Sequence, residues 1–230
     1  SQTLNSIEIS ICDDHSTDGS YEIVRKYQKI FGKIKIIRLK KNSGTYLARK
    51  TSILNAAGKY ILSIDPDDYV SKNIAVIDLC AIDLTKSDIL EHKIICVNFS
   101  TNELFPFSFS PPKFRCALQL TIVNHFLTNR LNWNLPRKMI KRSLFISAFI
   151  LIDLNLSSPF LLYGEDCLIM AGIFYFCRKM CVISTILYYY YRGIPDDSLN
   201  RVNILDQRMT QKHIIDTTIS NIFHSNFHFS

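Results

Sequence analysis

With 230 residues, 47% of them apolar, the chain can fill a real core as one large domain or a domain with an extension, which excludes a disordered or fibrous polypeptide. The formal net charge of +7 favours acidic partners such as nucleotides, phosphates, nucleic acid or an anionic membrane face. The cations are scattered, however, and the densest runs, "RLKKN" and "PRKMIKR", are too short to form a dedicated nucleic-acid surface, so no nucleic-acid partner is expected.

Seven cysteines (Cys12, Cys80, Cys96, Cys116, Cys167, Cys177 and Cys181) make an odd set without a Cys-X-X-Cys pair or a Cys/His grid. Most sit inside apolar runs, as buried thiols do, which implies a reducing compartment and no zinc site. The opening "SQTLNSIEIS" lacks the charged and apolar regions of a signal peptide. The most membrane-like stretch, "CLIMAGIFYFCRKMCVISTILYYYY", is broken by Arg178 and Lys179. Neither half reaches the roughly 20 residues a span requires. No transmembrane segment is expected, and the location implied is the cytoplasm or the cytoplasmic face of a membrane.

In chain order, "IEISIC" alternates and is β-branched, a strand over residues 7–12 that ends in the turn and cap cluster "DDHSTDGS". "YEIVRKYQKIF" places Ile23, Val24, Tyr27, Ile30 and Phe31 on one helical face. "KIKIIRL" is a second strand, "TYLARKTSILNAA" a helix stopped by Gly58, and "KYILSI" a third strand running into "DPDDYV". Strands alternating with helices imply right-handed crossovers, so residues 7–12, 34–39 and 60–64 are expected as adjacent, mostly parallel strands of one sheet. Further along, "AVIDLCAIDL" is a helix, "SDILEHKIICVNF" a strand with a bend, and "STNELFPFSFSPPKF" an irregular loop. Helices are expected over 116–127, over 138–154 and from Gly164 onward, a strand over "CVISTILYYYYR", and a helical tail over 203–223.

Two acidic clusters fall at the carboxyl ends of strands, where open α/β sheets bind ligands. Asp65, Asp67 and Asp68 repel one another unless a cation or a set of donors compensates. "DPDD" is compatible with a plain type I turn. An Asp-X-Asp in this position also suits Mg²⁺ or Mn²⁺, which prefer hard carboxylate oxygens and need only one or two of them beside substrate phosphates. A further carboxylate, in "GED", could act as a general base if the fold brings it opposite the metal.

Taken together, "IEISICDDHSTDGSYEIVRKY", "IKIIRLKKNSGTYLARKTSILNAAGKYILSIDPDDYV", "WNLPRKMIKRSLF" and "LLYGEDCLIM" with the following "YYYYR" resemble the ordered landmarks of family 2 glycosyltransferases. The resemblance covers residues 1–195 and leaves 196–230 as a C-terminal helical tail. It implies an α/β, GT-A-like fold, with a mixed and mainly parallel sheet flanked by helices. It also implies a metal-dependent, inverting transfer of sugar from a nucleotide-diphosphate sugar donor to a glycan or other hydroxyl acceptor.

Residue by residue, Asp13 and Asp14 match the motif that contacts the nucleotide base, with a polar turn as the alternative. Arg49 matches an arginine near the nucleotide, or is a surface helix charge; the family's following Asn is here Lys50. Asp67 matches the direct metal ligand and Asp65 the partner nearer the ribose; Asp68 is a weaker candidate. Asp166 matches the catalytic base, with Glu165 beside it, the alternative being an acid that complements a helix dipole. Trp133 matches an acceptor-side aromatic or is a core anchor, and Arg192 approaches the diphosphate or is a surface cation. The Tyr run reads as strand packing. The family normally opens with an apolar strand and a polar loop that grip the nucleotide, whereas "SQTLNS" looks like the end of the helix that follows them. That first strand is therefore expected to be missing from this sequence, as a fragment or a degenerate protein. The competing function is a non-catalytic nucleotide-binding module.

Overall fold

The computed structural model describes residues 2–107, 115–129, 131–193 and 205–224. Its first unit is β1 (Ile9–Asp13), α1 (Ser20–Ile30) and β2 (Ile34–Arg38), with β1 and β2 paired in parallel as a two-stranded sheet. Helix α2 (Thr45–Asn55) leads to β3 (Tyr60–Leu62) and, past the acidic turn, to β4 (Tyr69–Val70). Helix α3 (Ile74–Thr85) precedes the long β5 (Ile89–Asn98), and β6 (Leu104–Pro106) folds back on it. Then come β7 (Cys116–Leu118), α4 (Gln119–Leu127), β8 (Lys138–Lys141) and α5 (Arg142–Asn155). Helix α6 (Glu165–Phe176), β9 (Lys179–Arg192) and α7 (Leu205–His224) are the last of the described elements.

The expected mixed sheet flanked by helices is present, with a different topology in detail. The main sheet runs β3-β8-β5-β9-β4, with β6 on β5 and β7 on β9. Only β1/β2 and β5/β9 pair in parallel among the described residues; the other ladders are antiparallel, so parallel pairing does not predominate. Nor do the first three strands share one sheet. β3 pairs with β8, and β1 is tied to α2 by side chains instead of to β3 by a ladder. Ser10 Oγ donates to the Ser52 carbonyl and Ser52 Oγ to the Ser10 carbonyl, each at 2.8 Å, while the Glu8 carboxylate accepts from the amides of Ala57 and Gly58. The narrow β1/β2 sheet gives α1 little to cover. Ile23, Tyr27, Ile30 and Phe31 are exposed, and no residue of α1 is buried.

Two segments expected to be wholly helical begin as strands. Lys138–Lys141 fits between β3 and β5, and Cys116–Leu118 pairs with β9, because edge and register partners far along the chain override local periodicity. Cys116 and Cys181 lie opposite each other in that ladder and form a disulfide, against the expectation of thiols throughout. Their separation of 65 residues gives no spacing signal. The bend expected in β5 is present as register shifts at Glu91/Lys93 and Lys93/Ile94. Part of the irregular loop, residues 108–114, and the boundary drawn at 195 lie outside the described residues.

The principal core lies between the sheet and α4, α5, α6 and α7. Helix α6 is buried from Leu168 through Phe174, and Phe223 of α7 packs on Phe126 and Tyr175. The α5–α6 contact is close at Gly172, where an added Cβ would lie 2.9 Å from Ala148 Cβ. Gly172→Val is therefore expected to lower unfolding free energy by about 1–3 kcal/mol through overpacking. Gly32→Ala, which meets open space, should leave it unchanged; urea unfolding of both variants checks the contrast.

Candidate functional site

The site is assembled on the first turn of α2. Asp14, just past β1, accepts hydrogen bonds from the Ser43 amide at 2.7 Å and the Gly44 amide at 2.9 Å, which fixes the loop into the helix. Gly44 has φ +88°, and an added Cβ would sit 2.6 Å from the Leu161 carbonyl oxygen. That oxygen accepts from Thr45 Oγ1 at 2.9 Å and the Tyr46 amide at 3.4 Å. The "LLYGED" segment is thereby pressed onto α2. From the other side, Gln211 Oε1 of α7 accepts from the amides of Leu162 and Tyr163, each at 3.0 Å.

One turn into α2, Arg49 faces the end of that segment. Its Nη2 lies 2.8 Å from Asp65 Oδ1, and its Nε lies 3.1 Å from Glu165 Oε1 and 3.4 Å from Asp166 Oδ1. Burial works against the Arg49 charge, but Asp166, Asp65 and Glu165 together outweigh it and raise its pKa above the ordinary value. Asp166 has 16% of its side chain exposed, and its Oδ2 accepts from the Leu135 amide at 3.3 Å. Desolvation pushes its pKa up to about 7, opposed by Arg49 and assisted by Glu165 and Asp65. It therefore faces Arg49 and the 131–136 loop, not bulk solvent. In that loop Trp133 is 38% exposed while Leu131, Asn132 and Leu135 are buried.

The acidic turn divides its three carboxylates. Asp65 turns to Arg49. Asp68 turns inward, where its Oδ2 accepts from the Tyr188 hydroxyl at 2.6 Å and its Oδ1 from the Tyr191 amide at 3.0 Å. The Tyr188 oxygen in turn accepts from the Asp65 amide at 3.1 Å, so one buried phenol closes the turn. Burial, aided by the charges of Asp67 and Asp65, raises the Asp68 pKa to about 6 despite these donors. Asp67 is exposed. Arg192 is exposed at the end of β9, with its guanidinium 5.4 Å from the Tyr190 ring centroid.

Residues 1–82 match the glycosyl transferase family 2 profile. These residues are family 2 glycosyltransferase sequence. The uncharacterized glycosyltransferase EpsJ of Bacillus subtilis (strain 168) is 30% identical over 169 residues, covering 69% of this chain and 47% of EpsJ. All of this chain superposes on 66% of the crystal structure of S. aureus TarS 1–349 in complex with UDP-GlcNAc, at a TM-score of 0.68 and 22% identity. A structure of GalNAc-T7 with UDP, GalNAc and Mn²⁺ matches 82% of this chain and 38% of its own, at a TM-score of 0.57 and 16% identity. These likenesses establish a GT-A-type glycosyltransferase fold. The chain spans less than half the length of EpsJ and about two thirds of TarS 1–349.

Within this glycosyltransferase fold, Arg49, Asp65, Glu165 and Asp166 converge, and Trp133 stands on the loop that meets Asp166. Asp13 and Asp14 bind within the chain: Asp13 pairs with Arg38 at 3.1 Å and accepts from the Ser16 amide, and Asp14 holds the α2 entry. Tyr188 was legible only as strand packing; its partner Asp68 is 120 residues away, and no local signal joins them. Among the described residues no group of three or more His, Cys, Asp or Glu side chains forms a ready cation cage. Asp67, two positions after Asp65, presents an exposed hard carboxylate of the chemistry that suits Mg²⁺ or Mn²⁺. No described helix is long and apolar enough to cross a membrane.

Tyr188→Phe would leave the Asp68 carboxylate and the Asp65 amide without their shared partner. The expected result is a loss of about 1–3 kcal/mol in denaturant unfolding. Release of the turn should also weaken any Mn²⁺-dependent nucleotide binding, measured by calorimetry on the same variant.

Proposed function

We propose that the chain is the catalytic part of an inverting, metal-dependent glycosyltransferase that moves a sugar from a nucleotide-diphosphate donor to an acceptor hydroxyl. The observation that carries this reading is the shared hold of Arg49 on Asp65, from the acidic turn, and on Asp166, from α6. It sets a desolvated carboxylate beside the turn suited to a diphosphate-bound cation. In this reading Asp67 holds Mn²⁺ or Mg²⁺ with Asp65 beside it, nearer the ribose. When bound, the cation neutralises charge developing on the departing diphosphate.

Asp166 takes the proton from the acceptor hydroxyl, whose oxygen attacks the anomeric carbon from the face opposite the leaving group. Its raised pKa makes it a competent base near neutrality. Arg49 keeps the neighbouring carboxylates from dispersing and stands ready to turn toward a diphosphate. Glu165 anchors Arg49, Trp133 offers a ring for stacking on acceptor sugar, and Arg192 approaches the diphosphate from the end of β9. Asp13 and Asp14 shape the base-binding wall, Asp14 by fixing the loop before α2. The UDP-GlcNAc held by TarS in its crystal structure supports a nucleotide-sugar donor here.

A second reading, a nucleotide-binding module without turnover, draws on the separation of the β1/β2 sheet from the main sheet and on the internal engagement of Asp13 and Asp14. Titration calorimetry with UDP, with and without Mn²⁺, followed by UDP release from UDP-GlcNAc, separates the two. Catalysis requires both; a module binds without release. Asp67→Asn is expected to abolish the Mn²⁺-dependent part of UDP binding. Binding that ignores both metal and Asp67 would sink the metal-dependent reading.

The Asp166 pKa gives a signed pH prediction. The base works only when ionised, so initial rates should rise with pH through an apparent pKa of about 7 and level off above it. Stability should move oppositely. A carboxyl whose folded pKa lies above its ordinary 3.8 adds stability below that value and loses it as pH rises through about 7. Asp166→Asn should remove turnover and flatten this descent in unfolding free energy, as measured by urea titrations across pH 4–8.

A further inference from the structure

Behind the Asp166 wall lies a buried charge cluster that the proposed transfer does not use. Glu91 of β5 stands opposite Lys138 of β8 in the antiparallel ladder. Its Oε1 accepts from Arg137 Nη2, and its Oε2 lies 3.6 Å from Lys138 Nζ. All three side chains are out of solvent, Lys138 and Glu91 at 0% exposure. Consecutive strand residues normally point to opposite faces. Both cations reach one carboxylate because Arg137, at the entry to β8, has φ +73°. A non-glycine residue in that conformation persists only where its surroundings over-determine it. Here Glu91 holds the side chain, and the His92 amide donates to the Arg137 carbonyl at 3.1 Å. His92 Nδ1 lies 3.2 Å from Asp78 Oδ2 of α3, both fully buried, which backs the same strand.

An ammonium ion removed from water this completely is costly unless its protons find acceptors. Lys138 Nζ donates to the Asn134 carbonyl at 2.6 Å. Asn134 is the neighbour of Trp133, and its own amide donates to Asn132 Oδ1 at 2.7 Å. The next amide, of Leu135, reaches Asp166 Oδ2 at 3.3 Å. The loop is thus fastened on one side to a buried cation and on the other to Asp166, with the Trp133 ring left partly open to solvent.

We propose that Lys138 is a positioning residue: its hold on the Asn134 carbonyl sets the Trp133 loop against Asp166 and thereby builds the wall that receives the acceptor hydroxyl. This rests on the transferase reading for its consequence, though not for its geometry. Lys138 touches no reacting atom. Burial lowers its pKa to about 8, opposed mainly by Glu91, and Asp166 also helps retain the charge, consistent with the two groups lying near each other.

Trp133 is the chain's single tryptophan, so its fluorescence reads the loop directly. In the full chain, Lys138→Met is expected to bring the acrylamide quenching constant of Trp133 toward that of free N-acetyltryptophanamide, while UDP affinity with Mn²⁺ stays at the wild-type value. UDP release from UDP-GlcNAc should fall about 100-fold, the scale of a misplaced reacting group. A purely structural role would lower the unfolding midpoint without changing Trp133 quenching in the native state. Lys141→Met, whose partner Asp88 lies away from the loop, should leave quenching unchanged. Wild-type quenching in Lys138→Met, or loss of UDP affinity in step with activity, overturns the proposal. Should Lys138→Met fail to fold, Lys138→Gln, which keeps a polar head but falls short of Asn134, carries the same comparison. A wild-type chain that binds no UDP overturns the transferase reading, and the quenching comparison still decides whether Lys138 holds the loop.

Discussion

The arrangement depends on how Arg49 is shared. Three carboxylates from two distant segments would not rest near one another without a cation among them, and a guanidinium suits the task because its donors fan out in one plane. Its separation from Glu165 is 116 residues, so the contact closes a long loop as well as balancing charge. With solvent only partly admitted, the balance is local. Asp166 feels desolvation more than it feels Arg49, and the difference leaves a carboxyl that changes state near neutrality.

That sharing works because the backbone around it is held from several directions. Asp14 fixes the entry to α2, the Leu161 carbonyl seats the "LLYGED" segment on the first turn, and Gln211 grips the same segment from α7. Gly164, with φ +75°, lets the chain turn into α6 under Ile215, where an added Cβ would lie 2.8 Å from Ile215 Cδ1. The last helix is therefore part of the support for the carboxylate pair as well as of the hydrophobic core.

The acidic turn uses a different device. One buried phenol, Tyr188, binds the first residue of the turn through its amide and the last carboxylate through its hydroxyl. Asp68 becomes an internal acceptor, Asp65 an ion-pair partner, and Asp67 remains at the surface, so three similar side chains have three different environments. Repulsion is relieved by giving the three carboxylates separate surroundings, with Asp67 left exposed.

Periodicity, turn chemistry and motif order by themselves determined the α/β class, most element positions, the bend in β5 and the acidic segments that meet at Arg49. These are local properties: alternation, helical spacing and residues fit for particular backbone angles act over a few positions. Only the tertiary structure decided the partners. It split the expected sheet at β1 and β3 and began two expected helices as strands, because ladder partners lie far along the chain. It joined Cys116 to Cys181 and made Tyr188 the closure of the acidic turn. It also buried Lys138, read in sequence as part of a short basic run, against Glu91. A charge is soluble by default, and its burial follows from a carboxylate delivered by another strand, which no window of sequence around Lys138 contains.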